Sequence, residues 1–247
     1  MRSYDIRAKA RAALSGKWVM AALIGLVASL LGGTGDGGLN FEFDAEAMDS
    51  IYAIAPEVAT VLMGLMGIIG VFAFVYSIAL LILGGVVKLG YCKYNLKIVD
   101  GHMGTMGDLF SQFDRFAQAF LLNLLTGLFI ALWSILLVIP GIVAAYSYSM
   151  APYILLEDPN CSAMDAIRRS KEMMKGHKGR LFTMELSFIG WILLSVLTLG
   201  IGNLFLTPYM NAATAVFYRN LQDQRRSSYE EPQYNPPEYN TYDTPQQ

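Results

Sequence analysis

The sequence predicts an all-α fold: a polytopic bundle of about six transmembrane helices and three cytoplasmic amphipathic helices, with both termini inside. Composition is the first reason, since 54% of the 247 residues are hydrophobic and 15% are charged, whereas about 25% are charged in an average soluble domain. Long uncharged runs are the second, because about 20 helical residues cross the hydrocarbon core. The third is charge placement: all 18 Lys and Arg residues fall on one side of the membrane in this topology.

The first predicted helix, residues 2–17, lies on the inner membrane surface, because basic residues line one side of it and apolar residues the other. The first crossing, residues 18–33, follows directly. The alternative is a cleaved signal peptide, since a basic segment precedes a short apolar run. A retained anchor is favoured because the basic segment is long and no A-x-A site follows it cleanly.

An acidic loop, residues 34–57, follows the first crossing and is predicted to lie outside the cytoplasm. Its six acidic residues lack the fixed spacing of an EF-hand, so we expect a solvated loop. The next span, residues 58–87, is the clearest in the chain. Within it Gly64, Gly67 and Gly70 recur every three residues, which indicates close helix packing within this protein, with homodimerisation as the alternative.

Two later apolar runs are each roughly twice as long as one crossing requires and carry helix-breaking residues near the middle. We predict four spans from them, at residues 116–135, 139–156, 181–199 and 203–219. The turns are expected at Pro140 and Gly141 in the first hairpin and at Gly200 and Gly202 in the second. Single crossings would place the basic segment between the hairpins outside, against the positive-inside rule. Shallow re-entrant hairpins are the alternative, since each half is short for a crossing.

Two capping-box sequences predict the remaining amphipathic helices on the cytoplasmic surface. One box begins at Thr105 and the other at Ser162. The second helix carries four basic residues that we expect to contact anionic lipid headgroups. These residues are Arg168, Arg169, Lys171 and Lys175.

A candidate intramembrane polar site is formed by four side chains inside predicted spans: Glu185, Asn123, Asn203 and Asn211. A carboxylate in hydrocarbon is costly and often marks an ion or substrate path. The alternative for Glu185 is a position near the interface, paired with a basic residue such as Arg180 or Arg219. The alternative for the asparagines is hydrogen bonding between helices.

Residues 1–222 form the predicted integral membrane domain, and residues 223–247 a disordered cytoplasmic tail. The tail is rich in Pro, Tyr, Asn and Gln, so it cannot bury enough apolar surface to fold. Its Pro236-Pro237-Glu238-Tyr239 sequence matches a WW-domain ligand pattern, which a tail of this composition also produces by chance.

No constellation typical of catalysis or metal binding stands out in the sequence. His102 and His177 are isolated from any serine or paired-carboxylate motif, and Cys92 and Cys161 lack partners at metal-ligand spacing. We therefore expect no enzymatic activity, no cofactor and no metal. A net charge of −2 gives no reason to expect nucleic acid binding. The expected partners are the lipid bilayer with its anionic headgroups, a second copy of the chain or another membrane protein.

The leading functional hypothesis is a non-enzymatic membrane scaffold or envelope-homeostasis factor. The alternative is a small transporter or permease subunit with a polar site between the two C-terminal hairpins. A deep polar cavity containing Glu185 favours transport, whereas a solid bundle packed through small residues favours a scaffold.

One pattern recurs three times along the chain: a surface helix, a basic or aromatic junction and an apolar hairpin. The two later hairpins match more closely, since Ser134 and Ser195 each precede a glycine turn by a similar spacing.

The second half of the chain carries the motifs of a known family. They include IPGIVAAYSY from Ile139, AMDAIRRSKEMMKGHK from Ala163 and LTLGIG from Leu197, and an N-terminal Ala-Arg-Ala-Ala-Leu-x-Gly-x-Trp run ends at Trp18. With them the chain resembles the DUF975 family of bacterial integral membrane proteins over most of residues 5–222. The resemblance implies a multi-pass protein of the bacterial cytoplasmic membrane and no established activity. A more distant likeness is to the membrane domain attached to some glycerophosphodiester phosphodiesterases, whose catalytic barrel is absent from this sequence.

Overall fold

The computed structural model describes residues 3–33, 56–198 and 202–229, and all its regular elements in these ranges are helical, as predicted. The helices are α1 (Ser3–Leu14), α2 (Trp18–Leu30), α3 (Pro56–Val99), α4 (Gly107–Phe110), α5 (Phe116–Leu136), α6 (Val138–Tyr148), α7 (Ala151–Glu157), α8 (Ala163–Met173), α9 (Lys178–Leu186), α10 (Ile189–Leu197) and α11 (Asn203–Tyr229). A short 3-10 helix, Phe113–Arg115, leads into α5. Gly200, the Pro-Pro-x-Tyr sequence and nearly all of the predicted acidic loop lie outside the described residues.

Three described helical segments are long and apolar enough to cross a membrane: α3, the segment Gly107–Leu136 and the segment Val138–Glu157. A fourth results if α1 and α2 are taken together, although they meet at an angle of 101°. Large apolar side chains are exposed along the N-terminal half of α3 and around Leu137. Such extended apolar surface is typical of a protein that contacts lipid. The described helices therefore support a membrane protein, with three or four apolar segments rather than the six predicted spans.

The first C-terminal hairpin, α5 and α6, turns at Leu137, whose extended backbone (φ −160°, ψ 139°) separates the two helices. The predicted turn at Pro140 and Gly141 is therefore wrong by three residues. Pro140 lies in the first turn of α6, where its missing N–H breaks no intrahelical hydrogen bond. Gly141 is instead a point of close contact between α5 and α6, since a Cβ added there would lie 2.1 Å from Ser134 Oγ.

The second C-terminal hairpin is shorter than predicted. A turn at Ser187 and Phe188 separates α9 from α10, so residues 181–199 are not one continuous helix. α10 has nine residues, which rise about 14 Å and do not cross a hydrocarbon core of about 30 Å. Gly202 then packs on α10, since a Cβ added there would lie 3.0 Å from Ser195 Cα. The pairing of Ser134 with Gly141 thus recurs between Ser195 and Gly202.

The last described helix, α11, continues to Tyr229 and contains Pro208 in its interior. Residues 223–229, which were predicted to begin a disordered tail, are therefore helical. The remaining residues of that tail lie outside the described part of the chain.

The three amphipathic helices pack in a repeated order. α4 lies on α3, α8 lies on α7, and α1 lies on α11, so each covers the last helix of a hairpin. These last helices contribute the buried residues Tyr91, Tyr153 and Tyr218, and the rings of Tyr153 and Tyr218 stack with centroids 5.0 Å apart. The packing order follows the threefold pattern of the sequence. The position of the amphipathic helices on a membrane surface stays a prediction.

The glycine stripe of α3 does not pack within the described part of the chain. A Cβ added to Gly64, Gly67 or Gly70 would meet no other described atom within 4 Å. The prediction that these glycines serve packing within this protein is therefore wrong for the described residues. Further along the same helix, Gly85 does make a close approach, since its added Cβ would lie 2.7 Å from Ala119 O.

Candidate functional site

A cavity of about 410 Å³ lies between α3, α5, α9 and the α6–α7 segment. On one side of this cavity, close packing at Gly85 brings α3 against α5. Its polar and charged lining consists of Lys88, Asn123, Thr126, Tyr148, Ser149 and Glu185. The cavity therefore contains two of the four residues of the predicted intramembrane site, Glu185 and Asn123, together with a lysine.

Glu185 is partly buried on α9. Its Oε2 accepts a hydrogen bond of 2.5 Å from the hydroxyl of Tyr146 on α6. Within the described residues, Glu185 does not form the alternative interaction considered above, an ion pair with a nearby basic residue. Arg180 instead donates to Asn220 Oδ1 at 3.0 Å, and Arg219 pairs with Asp100 and Glu157. The carboxylate is thus held by a neutral partner.

Lys88 lies on α3, one turn after Gly84 and Gly85, and is partly buried. Among the described residues it forms neither a hydrogen bond nor an ion pair, although it lines the same cavity as Glu185. The amide of Asn123 on α5 likewise has no hydrogen-bond partner in the described ranges. Three groups that bind polar ligands therefore line one cavity: an ammonium, a carboxylate and an amide. Each has hydrogen-bonding positions that no described residue occupies.

Asn203 and Asn211 lie elsewhere. Asn203 lines a smaller pocket of about 190 Å³ beside Gly25 and Ser29 of α2. Asn211 Nδ2 donates to the carbonyl of Thr207 in its own helix at 2.9 Å. The structure therefore does not bring these two predicted residues to the Glu185 cavity.

Lys88 and Tyr146 were not predicted from the sequence as residues of this site. The predicted span ended at residue 87, directly before Lys88, although α3 continues through Lys88 to Val99. Its position at the end of the longest apolar run was the available signal. Tyr146 gave no separate signal, because an aromatic residue within an apolar run is ordinary.

Two of the four predicted lipid-contact residues, both on α8, form ion pairs. The Ser162 hydroxyl caps it by accepting from Asp165 N at 3.1 Å. Arg168 pairs with Asp165 and Arg169 with Asp158, each at 2.7 Å. The hydrogen bond from Arg169 holds the pKa of Asp158 below its usual value. The exposed Lys171 and Lys175 are without a described ion pair, so the helix offers anionic headgroups fewer charges than the sequence predicted.

No group of three or more His, Cys, Asp or Glu side chains within the described residues is arranged to hold a metal ion. Cys92 and Cys161 are both buried free thiols.

Comparison with known proteins gives one result. The sequence model of a family described as "Protein of unknown function (DUF975)" matches residues 1–143 and 135–225. No curated protein and no solved structure matches the chain.

Proposed function

Because the chain belongs to the DUF975 family, whose function is unknown, we propose a function from its geometry: a small membrane transporter that binds a polar solute in the Glu185 cavity. The observation that carries the proposal is the convergence of Glu185, Lys88 and Asn123 on one cavity within a bundle whose outer helices expose apolar side chains. Ionisable residues at membrane depth are costly and mark solute paths.

The cavity suits a small zwitterion. Its volume of about 410 Å³ falls within the range of about 300–1,000 Å³ that small-molecule sites occupy. Lys88 and Glu185 carry opposite charges and do not pair with each other. A ligand carboxylate that accepts a hydrogen bond from Lys88 and a ligand ammonium that donates one to Glu185 satisfy both groups, and Asn123 adds a donor and an acceptor. This function requires no chemical change of the solute, so the proposed protein is not an enzyme.

The proposed topology has four crossings, made by the α1–α2 pair, α3, α5 and the α6–α7 segment, with both termini in the cytoplasm. The three or four apolar helical segments support this count, and the distribution of Lys and Arg supports the orientation. The second C-terminal hairpin then enters from the cytoplasm without crossing, because α10 is short. The proposed location is the bacterial cytoplasmic membrane, as the family resemblance implies.

Ligand-induced stabilisation of the full-length protein in detergent tests the proposal. A ligand at 100 times its Kd adds about 2.7 kcal/mol of stability. We expect zwitterionic amino acids from a panel to raise the melting temperature, and matched amines or carboxylic acids to have little effect. Glu185→Gln and Lys88→Gln remove this shift, whereas two controls keep it: Glu172→Gln on the exposed side of α8 and Lys175→Gln in the exposed turn that follows α8.

Two results overturn the proposal. One is that no member of the amino acid panel shifts the melting temperature of the native protein. The other is that the cavity variants respond as strongly as their controls. Uptake of the stabilising amino acid into proteoliposomes then distinguishes transport from binding alone.

A scaffold is the second candidate, favoured by the unpacked glycine stripe of α3. Gly64, Gly67 and Gly70 lie open in the described structure, and small residues permit close contact between helices in lipid. A second copy or another membrane protein fits against this face. We expect Gly67→Ile to reduce crosslinking between copies in native membranes, while Ile68→Val leaves it unchanged. Absence of crosslinking in the native protein excludes the homo-oligomer.

A further inference from the structure

A second large groove, of about 630 Å³, lies between α1, α10 and α11, away from the Glu185 cavity. Two arginines of α1, Arg7 and Arg11, contribute to its lining, and no acidic residue does. Most of the remaining wall is aromatic or aliphatic, including Trp18, Trp191, Leu194 and Phe205. The groove therefore combines positive charge with an apolar surface.

Arg7 is held in place but keeps donors to spare. Its Nη1 donates to the carbonyl of Ser187 at 3.1 Å, and its guanidinium lies over the ring of Phe188 at 5.8 Å. Its Nε is buried and has no hydrogen-bond partner among the described residues. A buried donor without a partner costs free energy, and a bound anion is one way in which it is satisfied.

Arg11 follows Arg7 by one helical turn, so both side chains project from the same side of α1. Arg11 is exposed and makes no hydrogen bond or ion pair in the described part of the chain. This differs from Arg168 and Arg169 of α8, which are neutralised by Asp165 and Asp158. The positive charge in the groove is therefore available to an external anion.

The apolar wall suits a hydrocarbon chain. Trp18 packs edge-on against Tyr209 with ring centroids 6.0 Å apart. Trp191 is 56% exposed and Leu194 is 51% exposed. Both line the groove, so their apolar surface is open to a ligand there. Tryptophan is enriched where hydrocarbon meets the headgroup region.

We propose that this groove binds an anionic phospholipid of the cytoplasmic leaflet, with the phosphate between Arg7 and Arg11 and an acyl chain along the wall formed by Trp191, Leu194 and Phe205. Guanidinium groups bind phosphate oxygens through charge-assisted and often bidentate hydrogen bonds. The groove shares no lining residue with the Glu185 cavity, so the lipid site stands or falls independently of the proposed transport function.

The test uses the full-length protein in nanodiscs of mixed phosphatidylglycerol and phosphatidylcholine with identical acyl chains. Lipid retained after purification is measured by mass spectrometry. We expect the native protein to retain phosphatidylglycerol preferentially. Each arginine near an anionic surface contributes about five-fold in affinity, so Arg7→Gln with Arg11→Gln lowers that preference by about 25-fold. The control pair Arg168→Gln and Arg169→Gln removes the same number of charges and leaves the preference within about two-fold, because neither residue lines the groove.

A single Arg11→Gln variant guards against misfolding, since Arg11 has no described partner to lose, and it lowers the preference by about five-fold. Inorganic phosphate at millimolar concentration does not displace the retained lipid, because the acyl chain contributes to binding. Three results overturn the proposal: unchanged retention in the Arg11→Gln variant, an equal loss in the α8 control, or displacement by inorganic phosphate.

Discussion

The Tyr146 hydroxyl donates a hydrogen bond of 2.5 Å to Glu185 Oε2 and so connects α6 to α9. The ring of Tyr146 also meets Phe182 of α9 edge-on, with centroids 6.0 Å apart. The carboxylate is therefore fixed at the cavity wall by one neutral donor. Oε1 has no hydrogen-bond partner among the described residues, so it is available to a ligand ammonium. The position of Glu185 thus depends on a residue that does not itself line the cavity.

Removing that hydroxyl is expected to weaken both the fold and the site. Hydrogen bonds to charged groups contribute about 1.5–3 kcal/mol, so Tyr146→Phe lowers the stability of the purified protein by about that amount. It also weakens stabilisation by the amino acid panel, because the carboxylate loses its fixed orientation. Tyr148→Phe is the matched control, since Tyr148 lines the cavity but its hydroxyl has no described hydrogen bond. Thermal unfolding in detergent measures both effects, and equal losses in the two variants contradict the assignment.

The contact between Gly141 and Ser134 predicts a graded series of alanine substitutions. At Gly141 an added Cβ would lie 2.1 Å from Ser134 Oγ and 2.9 Å from Ser134 Cα, so the helices must separate. Overpacking of this kind costs about 1–3 kcal/mol. Gly202→Ala costs less, because its added Cβ would lie 3.0 Å from Ser195 Cα. Gly127→Ala is neutral or stabilising by up to about 1 kcal/mol, since open space surrounds it and alanine favours the helix.

Unfolding midpoints of the three variants, measured under one condition, give the order of their stabilities. A Gly141→Ala protein as stable as Gly127→Ala contradicts close packing at the first hairpin.

The sequence predicted what depends on periodic hydrophobicity and charge, and it missed what depends on contacts distant in sequence. Glu185 and Asn123 were singled out because polar groups in apolar runs stand out. The break between α9 and α10 was missed because Ser187 and Phe188 carry no helix-breaking signal. The turn there exposes the Ser187 carbonyl to Arg7, 180 positions away. The turn at Leu137 was missed for the opposite reason. Pro140 does carry a helix-breaking signal, but proline is compatible with the first turn of a helix, so the signal lies after the turn.

His177 predicts a pH dependence of stability. Burial and the guanidinium groups of Arg180 and Arg225 lower its pKa below the usual value. Its Nδ1 lies 3.3 Å from Arg180 Nη1, where the neutral ring accepts a hydrogen bond. The unfolded chain therefore binds the proton first as pH falls from about 6.5. The resulting loss of stability is at most about 1.4 kcal/mol per pH unit and ends below the folded pKa.

His177→Gln is expected to reduce the loss of stability between pH 7.5 and pH 5.5. His102→Gln is the control, because His102 is exposed. Unfolding midpoints at the two pH values measure the difference. An unchanged pH slope in the His177→Gln protein rules out this histidine as the source.

Accessibility of introduced cysteines tests the difference between the two C-terminal hairpins. Each cysteine is introduced into a variant in which the buried Cys92 and Cys161 are replaced by alanine. Leu137→Cys lies at the exposed tip of the long hairpin, so a membrane-impermeant thiol reagent labels it in intact cells. We expect Asn203→Cys not to be labelled from outside, because α10 has nine residues, which rise about 14 Å, and the proposed topology gives this hairpin no crossing. Lys171→Cys, on the exposed side of α8, reacts only after permeabilisation and serves as the cytoplasmic control.

Each outcome distinguishes one topology from another. Labelling of both Leu137→Cys and Asn203→Cys in intact cells restores six crossings, since the second hairpin then also reaches the outer surface. Labelling of Leu137→Cys only after permeabilisation overturns the four-crossing arrangement, because the α5–α6 tip then lies on the cytoplasmic side. Labelling of Leu137→Cys alone agrees with the four proposed crossings, made by the α1–α2 pair, α3, α5 and the α6–α7 segment. The Glu185 cavity then lies between crossing helices and a hairpin that opens to the cytoplasm, which gives a solute access from that side.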